Sequence, residues 1–426
     1  MRKFCCKYGK VKWLLLTISF VLFYTVTVET TNGTVSGIYK TNKGFTNMCY
    51  NDSLTLSRII EFHFNAIVLD AHNDFLYQVY KRGADLGEYN TNTQSDIEKF
   101  WLGGVDVQFF VSWIPPEEVK NAKNYVLNQI ETLKNFERKY SGKFEIAYSY
   151  DDINRIVSNG KLCGLIAIED GVAIGSEVSN LDEFYELGVR YISITWNNTN
   201  KIASSGKDEF NNKNKSGLTE FGRKVIKRMD ELGMLIDVSH LGEKSFWDII
   251  ALTKNPVIAS HSNCYSLDQH YRNLKDEQIR AIAQSGGVIM INFNDDFLVK
   301  NASKIRKNTL KNSYPETLKE IYENNRNDRI SFNSERLNFF DGLVESEGIT
   351  VDNVIDHIDY IKNLVGIDYV GLGSDFDGGI KPPVDLYDVT CYIMLTKRMY
   401  ERGYTPDEIQ KVLGLNFLRV FKQVCG

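Results

Sequence analysis

The stretch Val68-Leu69-Asp70-Ala71-His72-Asn73-Asp74 joins a short apolar run, beginning at Ile67, to a cluster of polar groups able to ligate a metal. A brief run rich in β-branched and aliphatic residues is the pattern of a buried strand. Alternation along such a strand sends His72 and Asp74, two positions apart, to one side, where both can meet the same ion. A His-x-Asp pair at one strand end also arises by chance. Its meaning depends on whether the chain repeats the arrangement.

It does. Apolar runs of strand length recur at 67–70, 105–111, 164–168, 191–195, 235–238, 257–259, 288–292 and 369–373. Amphipathic helical patterns separate them, for example at 180–187, 218–232 and 351–364. Eight strands alternating with helices predict an α/β chain folded as a (β/α)8 TIM-type barrel over residues 56–426, with a doubly wound open sheet as the alternative. Two charged stretches, 207–215 and 300–336, read as surface insertions in the form of solvated loops, the second with a short helix near 316–323.

The termini differ from this core. Arg2, Lys3, Lys7, Lys10 and Lys12 precede an uncharged run from Trp13 to Val28, the pattern of a secretory signal peptide or, if uncleaved, a membrane anchor over 1–30. Either outcome sends the rest of the chain into the secretory pathway, secreted or tethered outside the cell. Cys5 and Cys6 beside the run are candidates for acylation. Residues 31–55 are Thr/Asn-rich and read as a flexible lead-in. Sequons at Asn32, Asn51, Asn197, Asn214 and Asn301 fit a secreted glycoprotein. Cys49, Cys163, Cys264, Cys391 and Cys425 are scattered without paired spacing, so one or two disulfides at most are expected. With a net charge of -5 the chain has no basic excess for neutralising phosphates, which excludes a nucleic-acid partner.

The chemistry collects at the strand ends, which all open on one face of a barrel. Beyond His72 and Asp74, the third run leads into Glu169, the fifth to His240, the sixth to His261 and the eighth to Asp375. Three of the six histidines fall at such tips, whereas His63, His270 and His357 do not and read as structural or surface residues. Packed together without a cation, the carboxylates would repel one another at about 1.4 kcal/mol per unit of pKa shift. Imidazole with carboxylate is the ligand set of zinc, and five ligands exceed the need of one catalytic ion, so two ions sharing a carboxylate are expected.

With these residues in view, the chain resembles the membrane dipeptidases, zinc enzymes among the amidohydrolase-type barrels, from about His63 to Phe421. The motifs that carry the likeness are Asp70-Ala-His-Asn-Asp74, Ile168-Glu-Asp-Gly171, Val189-Arg-Tyr-Ile-Ser-Ile-Thr195, Leu235-Ile-Asp-Val-Ser-His240, Pro256-Val-Ile-Ala-Ser-His261, Arg272-Asn-Leu274 and Gly373-Ser-Asp-Phe-Asp-Gly378. The resemblance implies one Zn2+ on His72, Asp74 and Glu169, and a second on Glu169, His240 and His261, with Glu169 as the bridge. It implies hydrolysis of dipeptides by a metal-bridging hydroxide, which two zinc ions make available by drawing the pKa of water toward about 7. Asp375 would carry the proton to the departing amine and contact the substrate, and Arg272 would grip the substrate's terminal carboxylate. A homodimer is among the assemblies the family suggests.

Two positions depart from the pattern. Trp196 stands where the mammalian enzymes place a substrate-polarising histidine, and Phe297 where a tyrosine contacts the substrate carboxylate. Both bear on substrate choice, so a related small amide or N-acyl amino acid stays open as the substrate, as does a non-catalytic surface-binding glycoprotein.

Overall fold

The structure, a computed structural model, describes residues 55–309, 314–341 and 348–426. The leader at 1–30 and nearly all of the lead-in at 31–55, with Cys5, Cys6, Cys49 and the sequons at Asn32 and Asn51, lie outside the described residues. Among the described residues no helix is long and apolar enough to cross a membrane.

Nine strands follow the chain: β1 (Leu69–Asn73), β2 (Val107–Trp113), β3 (Phe144–Ile146), β4 (Leu162–Glu169), β5 (Val189–Ser193), β6 (Leu235–Asp237), β7 (Ile258–Ala259), β8 (Val288–Ile291) and β9 (Val370–Leu372). Eight of them pair in parallel in the order β1-β2-β4-β5-β6-β7-β8-β9, and β3 pairs only with β4. A parallel bridge between Asn73 and Phe376 brings the last tip back to the first. The sheet is thereby a nearly closed barrel, and each expected apolar run falls on one of its eight strands. The additional strand, β3, is three residues long, too short for alternation to register.

Both faces of these strands are covered, so their sequences are continuous apolar runs. Leu69, Val107, Phe109, Leu165, Tyr191 and Met290 form one buried cluster with Phe417 and Phe421 of the helix Asn416–Cys425. Those two rings stand 5.2 and 6.4 Å from Phe109, closing the barrel end opposite the site. Each is fully buried, which stabilises by roughly 1.5–3 kcal/mol per side chain. The alternating positions Val68, Phe110, Ile166, Ile192, Ile236 and Ile289 face the surrounding helices.

The 300–336 stretch corrects the expectation of a solvated loop. It forms the helices Ala302–Thr309, Tyr314–Asn325 and Arg329–Asp341, the last burying Phe332, Asn333, Arg336, Leu337 and Phe340. Asn333 donates to the Leu102 carbonyl at 2.8 Å, and Tyr322 stacks on Tyr89 at 3.9 Å. Charge misled the reading because Arg336 is buried: Phe332 covers its guanidinium at 4.6 Å and Asp388 lies 3.9 Å away. The 207–215 stretch is mostly exposed, as expected, apart from one turn of helix at Gly206–Phe210. Cys163, Cys264, Cys391 and Cys425 are all unpaired, so no disulfide occurs among the described residues.

Candidate metal centre

Five strand tips supply the centre. His72 belongs to β1, whose register with β2 shifts between Asp70 and Asn73. Such an irregularity re-aims a side chain next to a site. Asp74 lies just beyond the strand, as the residue preceding the helix Phe75–Arg82, so its meeting with His72 comes from this turn and not from pleat alternation. Glu169 is the last residue of β4. His240 and Asp375 sit three residues past β6 and β9 with left-handed backbones, φ 66° and 65°. Non-glycine residues seldom adopt that region and gather at functional sites when they do. Gly378 faces the two aspartates: a Cβ there would strike Asp74 Oδ2 and lie 2.6 Å from Asp375 Oδ1.

The structure brings the expected side chains together around Glu169. Its Oε1 lies 2.9 Å from His240 Nε2 and 3.4 Å from His261 Nε2, and its Oε2 lies 3.6 Å from His72 Nε2. His72 Nε2 is also 3.8 Å from Asp74 Oδ2. Two groups bring ligand atoms within 4.8 Å of one another, His72–Glu169–His261 and His72–Asp74–Asp375. Asn292, at the tip of β8, donates to Asp375 Oδ2 at 2.8 Å.

Burial raises the Asp74 carboxyl well above the usual carboxylate range. Asp375 is pushed up to about 6, by burial first and by the Glu169 charge, against His72, Asn292 and Arg272. Burial acts to raise Glu169 too, but the three histidines override it and hold it well below the ordinary value. Burial and the Arg272 charge lower His240 to about 4, and burial with the His72 charge lowers His261.

These side chains fit a divalent cation. His72 Nε2 and Asp74 Oδ1 are buried without a hydrogen-bond partner, and an orphaned polar atom in such a place costs about 1–3 kcal/mol. Nitrogen and oxygen donors of this kind are those zinc takes. Arg272 is 5% exposed, and its Nη2 donates to the His261 carbonyl at 3.0 Å. No carboxylate pairs with it among the described residues. Phe297 lies 5.6 Å from its guanidinium. Trp196 stands at the rim, 6.3 Å from the His240 ring and 5.1 Å from Trp113.

The remaining histidines lie outside the centre. His63 bonds Thr396 Oγ1 and the Gly103 carbonyl, and His357 accepts from the Cys264 N–H. His270 accepts from the Arg272 N–H at 3.2 Å and stacks beside Phe297 at 4.7 Å, supporting the loop that carries the arginine.

Sequence reasoning missed Trp113, Tyr191, Asp237, Ser260 and Asn292. Four of them, Trp113, Asp237, Ser260 and Asn292, stand at or just past the mouth ends of β2, β6, β7 and β8, where the interruption of an apolar run was the available signal; Tyr191 lies in the middle of β5, and nothing along the chain marked it. Asp237 is fully buried and accepts from Ser193 Oγ, Ser239 N, Ser260 N and Ser260 Oγ.

Residues 56–425 match the membrane dipeptidase family, peptidase family M19. The chain is 30% identical over 393 residues to an uncharacterized dipeptidase of Schizosaccharomyces pombe, covering 87% of this chain and 83% of that protein. Among solved structures it is similar to the probable dipeptidase PvdM from Pseudomonas aeruginosa, at 24% identity and a TM-score of 0.71, covering 86% of this chain and 97% of that one. A metallo peptidase from Rhodobacter sphaeroides, liganded with a phosphinate mimic of the dipeptide L-Ala-D-Ala, shares 23% identity at a TM-score of 0.69, covering 84% of this chain and all of that one. At these identities the two crystal structures speak for the fold.

Proposed function

The chain belongs to the membrane dipeptidase family and is a metallo-dipeptidase; from that premise we propose that it hydrolyses dipeptides at a centre of two zinc ions bridged by Glu169. The observation that carries this reading is the division of the Glu169 carboxylate, one oxygen toward His72 and the other toward His240 and His261. His72, Asp74 and Glu169 would hold one ion, and Glu169, His240 and His261 the other. Zinc bound there would supply Lewis acidity, lowering the pKa of water and polarising the scissile carbonyl.

The chain's own residues do the rest. Asp375, with a carboxyl near 6, is ionised at neutral pH and able to take a proton and return it to the leaving amine. Asn292 donates to its Oδ2 and orients the carboxylate, whose Oδ1 faces Gly378. Arg272, buried and without a carboxylate partner among the described residues, suits bidentate capture of the substrate's C-terminal carboxylate. Trp196 would present a large, mostly apolar ring to the substrate, with the indole N–H as its one donor. That ring, continued by Trp113, also favours a second reading in which the substrate is an N-acyl amino acid or related small amide.

Export through the leader at 1–30, as a secreted or tethered glycoprotein, and assembly into a homodimer belong to the same proposal. Purified protein should hydrolyse simple dipeptides, contain about two zinc ions per chain, lose activity in chelator and regain it with zinc. Two bound ions with turnover of N-acyl amino acids and of no dipeptide would refute the first reading in favour of the second.

A further inference from the structure

We propose that two buried hydroxyls, those of Tyr191 and Ser260, are positioning residues that fix His72 and His261 as Nε2 ligands, each governing how tightly one half of the centre holds its cation. The inference rests on the zinc reading above and extends it to residues that touch no ion.

Proton accounting carries the argument. The Tyr191 hydroxyl has one proton, and it donates that proton to the Ala71 carbonyl at 2.8 Å. Its oxygen also lies 3.0 Å from His72 Nδ1, a contact that then requires the imidazole to be the donor. Ser260 is bound the same way. Its Oγ donates to Asp237 Oδ2 at 2.6 Å, an oxygen that also accepts from Ser193, and its lone pair faces His261 Nδ1 at 2.7 Å. Each relay places a hydrogen on Nδ1 and frees the Nε2 lone pair for a cation: His72 Nε2 lies 3.6 Å from Glu169, and His261 Nε2 lies 3.0 Å from His240 Nε2 and 3.4 Å from Glu169.

Both relays are rigid. Tyr191 is fully buried, with its ring 4.9 Å from Phe109, and Asp237 is locked by two backbone N–H groups besides its two serines. Ser260 Oγ is 3.4 Å from His72 Nδ1, so its influence falls chiefly on His261. His240 has no such support, since its Nδ1 is buried and unpartnered. Partners of this kind orient metal-binding imidazoles and raise their basicity, and their loss typically weakens metal binding about 10–100-fold.

The test is zinc affinity and stoichiometry of the full-length protein, by competition with a chromophoric chelator, with histidine 15N shifts recorded in parallel. Tyr191→Phe should weaken one of the two equivalents about 10–100-fold and leave the other unchanged. Ser260→Ala should weaken the other equivalent, the double variant should weaken both, and Ser260→Thr should restore the wild-type value. In chelator-treated wild type the 15N shifts should show His261 protonated on Nδ1, and Ser260→Ala should abolish that preference. Wild-type affinity in both single variants, or an equal loss of both equivalents that follows a loss of folded protein, would overturn the proposal. Wild-type protein that takes up no zinc would instead defeat the metal-centre reading, and the His261 15N shifts would still decide whether the hydroxyl sets the tautomer.

Discussion

Glu169→Gln keeps the shape of the bridging side chain and removes its charge, which isolates what that charge does. In protein stripped of metal by chelator, burial pulls the His72 proton affinity down, while the nearby Glu169 carboxylate, with Asp74 and Asp375 behind it, raises it to about 10. From the ordinary 6.5, that rise corresponds to about 5 kcal/mol at about 1.4 kcal/mol per unit. Unit charges at the 3.6 Å separating His72 Nε2 from Glu169 Oε2 give about 5 kcal/mol at an effective dielectric constant of about 20. Because burial opposes the rise, the raising contributions together exceed that net figure, and Glu169 is the largest of them. Its loss should lower the His72 value by about three units, toward neutral pH. The assay is an NMR titration of His72 in chelator-treated wild type and variant. Because the folded value is raised, the stabilisation is fully present below the unfolded value of about 6.5 and is lost as pH rises through about 10. Metal-free wild type should therefore lose stability across that window, and the variant should lose little. Identical His72 titrations in the two proteins would refute the reasoning.

Asp375→Asn should retain two zinc ions and lose turnover about 100- to 10,000-fold, read by metal analysis beside steady-state kinetics; full turnover would remove Asp375 from the proton path. Arg272→Lys gives up the planar fork and should raise KM for dipeptides at least about tenfold with kcat little changed. The same variant should act on C-terminally amidated substrates as wild type does, and an equal loss on both would separate Arg272 from the carboxylate. Asp385 accepts the Val351 N–H at 2.7 Å through Oδ1, while its buried Oδ2 has no partner and burial pushes the carboxyl up to about 6. Its ionisation costs nothing below the unfolded value of about 4 and about 3 kcal/mol above pH 6. Asp385→Asn should thus be the more stable protein at pH 7.5 in urea denaturation, with the advantage gone by pH 4. A variant weaker at both pH values would contradict this.

The barrel was legible because parallel strands covered on both faces are written as unbroken apolar runs, and all eight were marked in that way. The centre was legible because His72, Glu169, His240, His261 and Asp375 each end such a run. Two kinds of feature escaped. Helix Arg329–Asp341 buries Arg336 beneath Phe332 and beside Asp388, partners distant or unremarkable in sequence, so the segment passed for a solvated loop. Tyr191 and Ser260 matter through hydroxyl directions that depend on Ala71 and Asp237, and no spacing along the chain reports a direction in space. Alternation also gave the right partners for the wrong reason at Asp74, which reaches His72 from the start of a helix.

The two phenylalanines at the foot of the barrel impose an order on its assembly. Tyr191, whose hydroxyl meets His72, rests against Phe109, and Phe109 rests against Phe417. At translation speeds of about 5–20 residues per second, the roughly 300 residues between Phe109 and Phe417 take some 15–60 s to make. For that interval Phe109 lacks the floor that later covers it, and β9, at Val370–Leu372, is not made until near its end. A stop codon that removed only the final helix would leave every proposed ligand in the polypeptide and still take away the floor on which they are arranged.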